Sequence, residues 1–152
     1  MPKVIISDTS CFIILSKIDE MSLLQKVYGH VVTTLEISEE FGEPLPLWVE
    51  VTSVKDKIRQ QLLEMQIDKG ESSAIALALE TPNSTIILDD YKARKVAKQL
   101  GLIFTGTLGV IINAKLLGKI DSIVPLLQKI KETDFRISAE LEMEALKEAG
   151  EL

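Results

Sequence analysis

The stretch from Thr85 to Gly106 constrains the fold of this chain most. Thr85-Ile86-Ile87-Leu88 is a β-branched, apolar run that ends in Asp89 and Asp90. A helix-period segment follows with Val96, Ala97 and Leu100 on one side, and Gly101 stops it before a second apolar run, Leu102-Ile103-Phe104. This pattern is a β-α-β unit. The crossover in such a unit is right-handed, the strands are parallel, and ligands gather beyond their carboxyl ends. Asp89 and Asp90 stand at that edge.

The rest of the chain repeats the alternation. Lys3-Val4-Ile5-Ile6-Ser7 reads as a short buried strand, and Asp8-Thr9-Ser10 follows it. Ser10 is positioned to cap a helix bearing Phe12, Ile13, Leu15 and Ile18. A helix through Leu23, Leu24 and Val27 ends at Gly29, and Val31 to Thr34 is the next strand. Leu35 to Phe41 is a helix carrying Glu36, Glu39 and Glu40, closed by Gly42 and Pro44. Trp48 to Val54 alternates like a strand, and Lys55 to Ile67 is amphipathic with Ile58, Leu62 and Met65 expected inward. Gly70 starts a helix of small residues through Leu79, with Glu71 in its first turn. After the 85–104 unit, Thr105-Gly106-Thr107-Leu108-Gly109 opens a helix through Leu117, and a helix from Ser122 to Ile130 and an acidic helix at about 139–149 follow. No repeat or linker interrupts the run. The expected fold is one α/β domain over 1–152, a three-layer α/β/α sandwich with a central, mainly parallel sheet.

Charge is unevenly distributed. The chain totals −6, yet residues 132–152 hold seven acids against Arg136 and Lys147, so the remainder is near neutral. An acidic total argues against a protein that grips nucleic acid by bulk charge, but not against an enzyme whose carboxylates are neutralised by metal. No apolar run is long enough to span a membrane and no signal-peptide pattern opens the chain, so the expected location is cytoplasmic. Cys11, the only cysteine, lies in an apolar run and reads as a buried, inert thiol.

Asp8, Glu40, Glu71, Asp89 and Asp90 are acids with apolar neighbours at or near element ends, odd choices for a solvated surface. Hard divalent cations take oxygen ligands, so clustered carboxylates point to Mg²⁺ or Mn²⁺ and to phosphodiester hydrolysis by metal-activated water. Each acid also has a plainer reading. Asp8 and Asp90 suit strand-end turns or helix N-caps, Glu71 suits a helix first turn, and Glu39 and Glu40 suit a solvated helix face. Their joint placement carries the chemical reading.

The same residues bear a resemblance. Val4-Ile5-Ile6-Ser7-Asp8-Thr9-Ser10 is similar to the opening of PIN-domain proteins. The likeness continues at Glu40-Phe41, through Gly70-Glu71-Ser72-Ser73-Ala74-Ile75-Ala76-Leu77-Ala78, and at Ile86-Ile87-Leu88-Asp89-Asp90. Thr105-Gly106-Thr107-Leu108-Gly109-Val110 resembles a prokaryotic PIN-like branch long labelled a domain of unknown function. The resemblance implies a PIN fold in which Asp8, Glu40, Glu71 and Asp90, with Asp89 as the alternate to Asp90, bind Mg²⁺ or Mn²⁺ to cleave single-stranded RNA. Glu71 stands where many PIN nucleases use aspartate. It further implies the toxin of a type II toxin-antitoxin pair with a small antitoxin partner, and a homodimer, which apolar helices around Leu23, Leu24, Leu108, Val110 and Ile111 permit.

Lys92, Arg94, Lys95 and Lys98 form a basic helix after the aspartates, suited to RNA phosphates or to a solvated face. Thr9, Ser10, Thr105 and Thr107 suit phosphate donors, ligand-positioning groups or caps. Tyr91 suits base stacking or rim packing. His30, the only histidine, falls in a turn, which leaves metal-activated water as the expected nucleophile. A response-regulator receiver, suggested by Ile87-Leu88-Asp89-Asp90 with Arg94, ranks low as an expectation, because no phospho-accepting Asp and Lys arrangement appears downstream and the chain before the acid pair is left unexplained. The remaining rival is a non-catalytic PIN-like module that binds RNA or protein.

Overall fold

The computed structural model describes residues 3–152; Met1 and Pro2, part of the expected domain span, lie outside the described residues. Five strands form its sheet: β1 Val4–Ser7, β2 Val31–Thr34, β3 Val49–Thr52, β4 Ser84–Ile87 and β5 Phe104–Thr105. They run in the order β3-β2-β1-β4-β5 and every pairing is parallel, with Ser7 opposite Ile87 and Ile87 opposite Thr105. Around them pack α1 Thr9–Lys17, α2 Ser22–Tyr28, α3 Leu35–Phe41, α4 Lys57–Leu63, α5 Lys69–Leu79, α6 Tyr91–Gln99, α7 Thr107–Leu116, α8 Val124–Lys131 and α9 Ala139–Glu148. Strand order advances one way from β1 to β3 and the other way from β4 to β5. Right-handed crossovers therefore put helices on both faces and create a switch point between β1 and β4. This is the three-layer α/β/α architecture with a parallel sheet that the alternation of elements indicates.

Apolar residues from both faces close the core, among them Ile6, Phe12, Leu15, Ile75, Ile86, Ile87, Leu88 and Ile111. The small side chains of α5, from Ser72 to Ala78, are buried against β1, β2 and β4. Small residues allow that close approach, and a bulkier helix there would lift away from the strands. Among the described residues no helix is long and apolar enough to cross a membrane.

Three expectations need correction. Asp8, not Ser10, caps α1: its carboxylate accepts the Cys11 N–H at 2.9 Å. The helix expected from Lys55 to Ile67 is α4, Lys57–Leu63, whose inward face carries Gln60 and Leu63, while Ile58, Leu62 and, just past its end, Met65 are exposed. The apolar period marks a stripe, but α4 docks on α5 along its other side, where Gln60 bonds Glu36 at 2.6 Å. Of the apolar residues expected to permit a homodimer, Leu23, Leu24, Val110 and Ile111 are fully buried because α2 and α7 pack on one another, and Leu108 alone of the five is partly exposed. Smaller shifts occur at helix starts, as α5 begins at Lys69 under the side chain of Asp68, not at Gly70.

Candidate functional site

The carboxyl ends of β1 and β4 are neighbours at the switch point, and they place Asp8 beside Asp89. Asp8 is only 3% exposed. One of its oxygens accepts the N–H of Cys11 and the other accepts the N–H of Asp89 at 3.0 Å. Burial pushes its carboxyl well above the ordinary carboxylate range, and the charges of Asp89 and Glu71 push the same way against those two N–H groups. The same burial, with Asp8 and Asp89 nearby, raises the Cys11 thiol. Cys11 is thus the inert core residue its apolar run indicates.

Asp89 is clamped from the other side. The Thr107 N–H donates to it at 2.8 Å and the Thr107 hydroxyl at 2.5 Å, both from the start of α7. Gly106, just before, leaves the space that Asp89 uses: a Cβ there would lie 3.0 Å from its Oδ1. Asp90 turns away and caps α6 through the Ala93 N–H at 3.0 Å. Its charge nonetheless reaches Glu71, whose carboxyl is pushed up to about 8 by burial first, then by Asp68 and Asp90.

Glu40, on the last turn of α3, is tied down by the Thr9 hydroxyl. Gly70 lies against it, close enough that a Cβ would stand 2.7 Å from Glu40 Oε1 and displace that carboxylate. Asp8, Glu40, Asp68 and Glu71 line one cleft of about 370 Å³, together with Thr9, Ser10, Ile13, Ile14, Lys17 and the segment Thr133 to Phe135. The structure therefore gathers Asp8, Glu40 and Glu71 in one cleft, sets Asp89 against Asp8, and sets Asp90 at the rim near Glu71. It does not draw them to a single point. Among the described residues no three Asp, Glu, His or Cys side chains close tightly enough to hold a metal ion as they stand.

The donor set fits a hard divalent cation in type: it is all carboxylate oxygen, and burial and neighbouring charge hold Asp8 and Glu71 back from ionising, a cost that a cation relieves. Asp8, Glu40 and Glu71 are the residues that would hold it, with Asp89 and Asp90 alongside. Thr9 and Thr107 are buried behind the carboxylates they orient, and Ser10 lies in the cleft wall. Lys92 and Lys95 are exposed on α6, whereas Arg94 is held with its guanidinium carbon 5.0 Å from the centre of the Phe104 ring. His30 sits at the opposite end of the sheet, just before β2, and pairs with Glu50 at 3.2 Å.

Two contributors escaped the sequence reading. Asp68 caps α5 and adjoins Glu71, and the spacing Asp68-x-x-Glu71 is a capping-box pattern that would have exposed it. Thr133 to Phe135 had no local signal, because they reach the cleft only when the chain returns past α1, where Lys17 bonds Asp134 at 2.7 Å.

A family model described as a PIN domain matches residues 4–151. Domains of that description have a nuclease-type fold and generally use divalent metals. No curated protein matches the chain. The family match runs from the first strand past the last helix and takes in every acid described above, so this chain belongs to the PIN-domain family.

Proposed function

We propose that this chain is a Mg²⁺- or Mn²⁺-dependent endoribonuclease that hydrolyses phosphodiester bonds of single-stranded RNA. The observation that carries the reading is the meeting of Asp8, Glu40 and Glu71 in one cleft at the switch point, with Asp89 set against Asp8. Carboxylates that repel one another in a half-dry cleft are relieved by a cation, and a cation bound there supplies Lewis acidity and an activated water. The chain's own part is positional. Two backbone N–H groups fix Asp8, Thr107 fixes Asp89, and Thr9 fixes Glu40. Ser10 and Lys17 in the cleft wall suit contacts to a substrate phosphate.

The test is Mn²⁺ titration calorimetry beside cleavage of a labelled single-stranded RNA, for wild type and Asp8→Asn. Loss of both in the variant supports the proposal, and equal turnover or unchanged Mn²⁺ affinity overturns it. One observation favours a second reading, a non-catalytic RNA- or protein-binding module: the acids do not close on one point. Mn²⁺ binding without turnover of any single-stranded RNA selects that module. The toxin role and a small antitoxin partner belong to the same proposal through family resemblance. Growth arrest on expression of wild type but not Asp8→Asn tests them.

A further inference from the structure

Past Asp90, α6 and β5 wall a hollow of about 560 Å³, lined by Tyr91, Arg94, Lys95, Lys98, Gln99 and Phe104. Tyr91, Arg94, Lys95 and Lys98 recur at the three- and four-residue spacing that puts side chains on one face of a helix. Tyr91 is 82% exposed at the end nearest Asp90. Lys92, Lys95 and Lys98 are also exposed, and none of them has a salt-bridge partner among the described residues. No acid occurs from Tyr91 to Phe104 in a chain of net charge −6. The face is therefore a local positive field with an unused aromatic ring.

Arg94 joins this hollow to the acids. Its guanidinium is stacked on Phe104, and it also lines a smaller cavity of about 260 Å³ with Asp89. Glu144 and Glu148 of α9 line that smaller cavity too. A polyanion leaving the acid cleft is thus repelled from the α9 side and attracted along α6. From Tyr91 to Lys98 the helix rises about 10 Å, the length of roughly two or three stacked nucleotides.

We propose that this hollow is the track that holds the RNA strand beside its cleavage point, with a base stacked on Tyr91 and phosphates on Lys95 and Lys98. The inference rests on the single-stranded RNA reading above and extends it to a substrate-binding subsite. A free base face is needed to stack on Tyr91, so the occupant is a single strand, whose bases are not paired and buried in a duplex. Arg94, braced by Phe104, marks the junction at which the strand turns toward Asp89.

The test is anisotropy of a short fluorescein-labelled single-stranded RNA on the full chain in EDTA, where no cleavage occurs. The doubly substituted K95Q/K98Q chain is expected to bind less tightly, with the slope of log affinity against log salt reduced by about 1.4. Tyr91→Ala is expected to weaken binding about tenfold without changing that slope, and Tyr91→Phe to restore it. Because these side chains are exposed, melting curves should match wild type. Unchanged affinity and slope in both variants would overturn the track. If both variants lower RNA binding while no form of the protein cuts, the nuclease reading fails and the track stands. If Asp8→Asn alone abolishes cutting and the α6 variants bind and cut normally, the track fails and the nuclease reading stands. Displacement of the RNA by polyglutamate with no effect of Tyr91→Ala identifies an acidic protein surface as the occupant and likewise overturns it.

Discussion

Asp8 and Asp89 are 81 residues apart in sequence, and the backbone N–H of Asp89 donates to the side chain of Asp8 at 3.0 Å. With the Cys11 N–H on its other oxygen, Asp8 caps α1 and ties the end of β1 to the end of β4. The same carboxylate is then both a structural latch and a candidate ligand. Asp8→Ala removes the cap and leaves two N–H groups without their acceptor, which costs about 2–4 kcal/mol. Asp8→Asn keeps one acceptor and removes a repelled charge, so its stability stays within about 1 kcal/mol of wild type. Denaturant melts separate the two. RNA cleavage is expected to fall more than about 100-fold in both, since a lost ligand costs more than a lost orienting group.

The acid cluster makes the metal-free protein sensitive to base. Glu71 titrates near 8 when folded against an ordinary 4.5, and Asp8 is shifted in the same direction. The folded state holds the extra proton, so this contribution to stability is full below about 4.5 and is lost as pH rises through about 8. Discounted for the solvent that reaches Glu71, the loss is on the order of 1 kcal/mol, or about 2–4 °C in melting temperature. Melts of wild type minus Glu71→Gln between pH 5 and 8.5 isolate it. Mn²⁺ should restore stability more at pH 8 than at pH 5, because ligands must be ionised to bind. A flat difference curve with no Mn²⁺ dependence would show that Glu71 is neither strained nor a ligand.

Thr107 holds Asp89 with its N–H and its hydroxyl. Thr107→Val keeps the backbone bond and the shape but removes the hydroxyl, freeing the carboxylate to rotate. Cleavage is expected to fall about tenfold, with the Mn²⁺ concentration for half-maximal rate rising in step, and Thr107→Ser is expected to restore both. A purely structural hydroxyl would lower the melting temperature without moving the Mn²⁺ dependence.

What the sequence discloses is local, and what it withholds is set by packing. The β-branched run before Asp89 and the acid after β1 each announce a strand end, Gly101 announces the end of α6, and parallel topology brings the carboxyl ends of strands to one edge. That edge singles out Asp8 and the Asp89-Asp90 pair, whereas Glu40 and Glu71, which lie on helices, are picked out by their apolar neighbours and by the PIN resemblance. The docking side of α4 could not, because Ile58, Leu62 and Met65 satisfy the helical period as well as Gln60 and Leu63 do, and only contact with α5 selects between them. The duty of Asp90 was similarly ambiguous. An aspartate ahead of a helix is a cap as readily as a ligand, and here it caps α6 while the Asp89 backbone N–H holds Asp8 and the Asp89 carboxylate is held by Thr107.

Gly70 offers the sharpest test of Glu40, because it acts on that side chain without touching its charge. The glycine lies in the first turn of α5, where a Cβ would meet Glu40 Oε1 at 2.7 Å and Thr9 Oγ1 at 3.5 Å. Glu40 is exposed and flexible, so in Gly70→Ala it is the carboxylate that yields, and its bond from the Thr9 hydroxyl is broken. Alanine is the better helix former by up to about 1 kcal/mol, which offsets the displacement, so the melting temperature should hold or rise slightly. Mn²⁺ affinity and RNA cleavage should nevertheless fall about tenfold, as they do when a ligand's support is lost. Glu40→Ala should then add little on top of Gly70→Ala, since both remove the same oriented carboxylate. Full activity in both Gly70→Ala and Glu40→Ala would remove Glu40 from the site and leave Asp8, Glu71 and the two aspartates after β4 to hold any cation, whereas additive losses in the double variant would show that Gly70→Ala acts other than through Glu40.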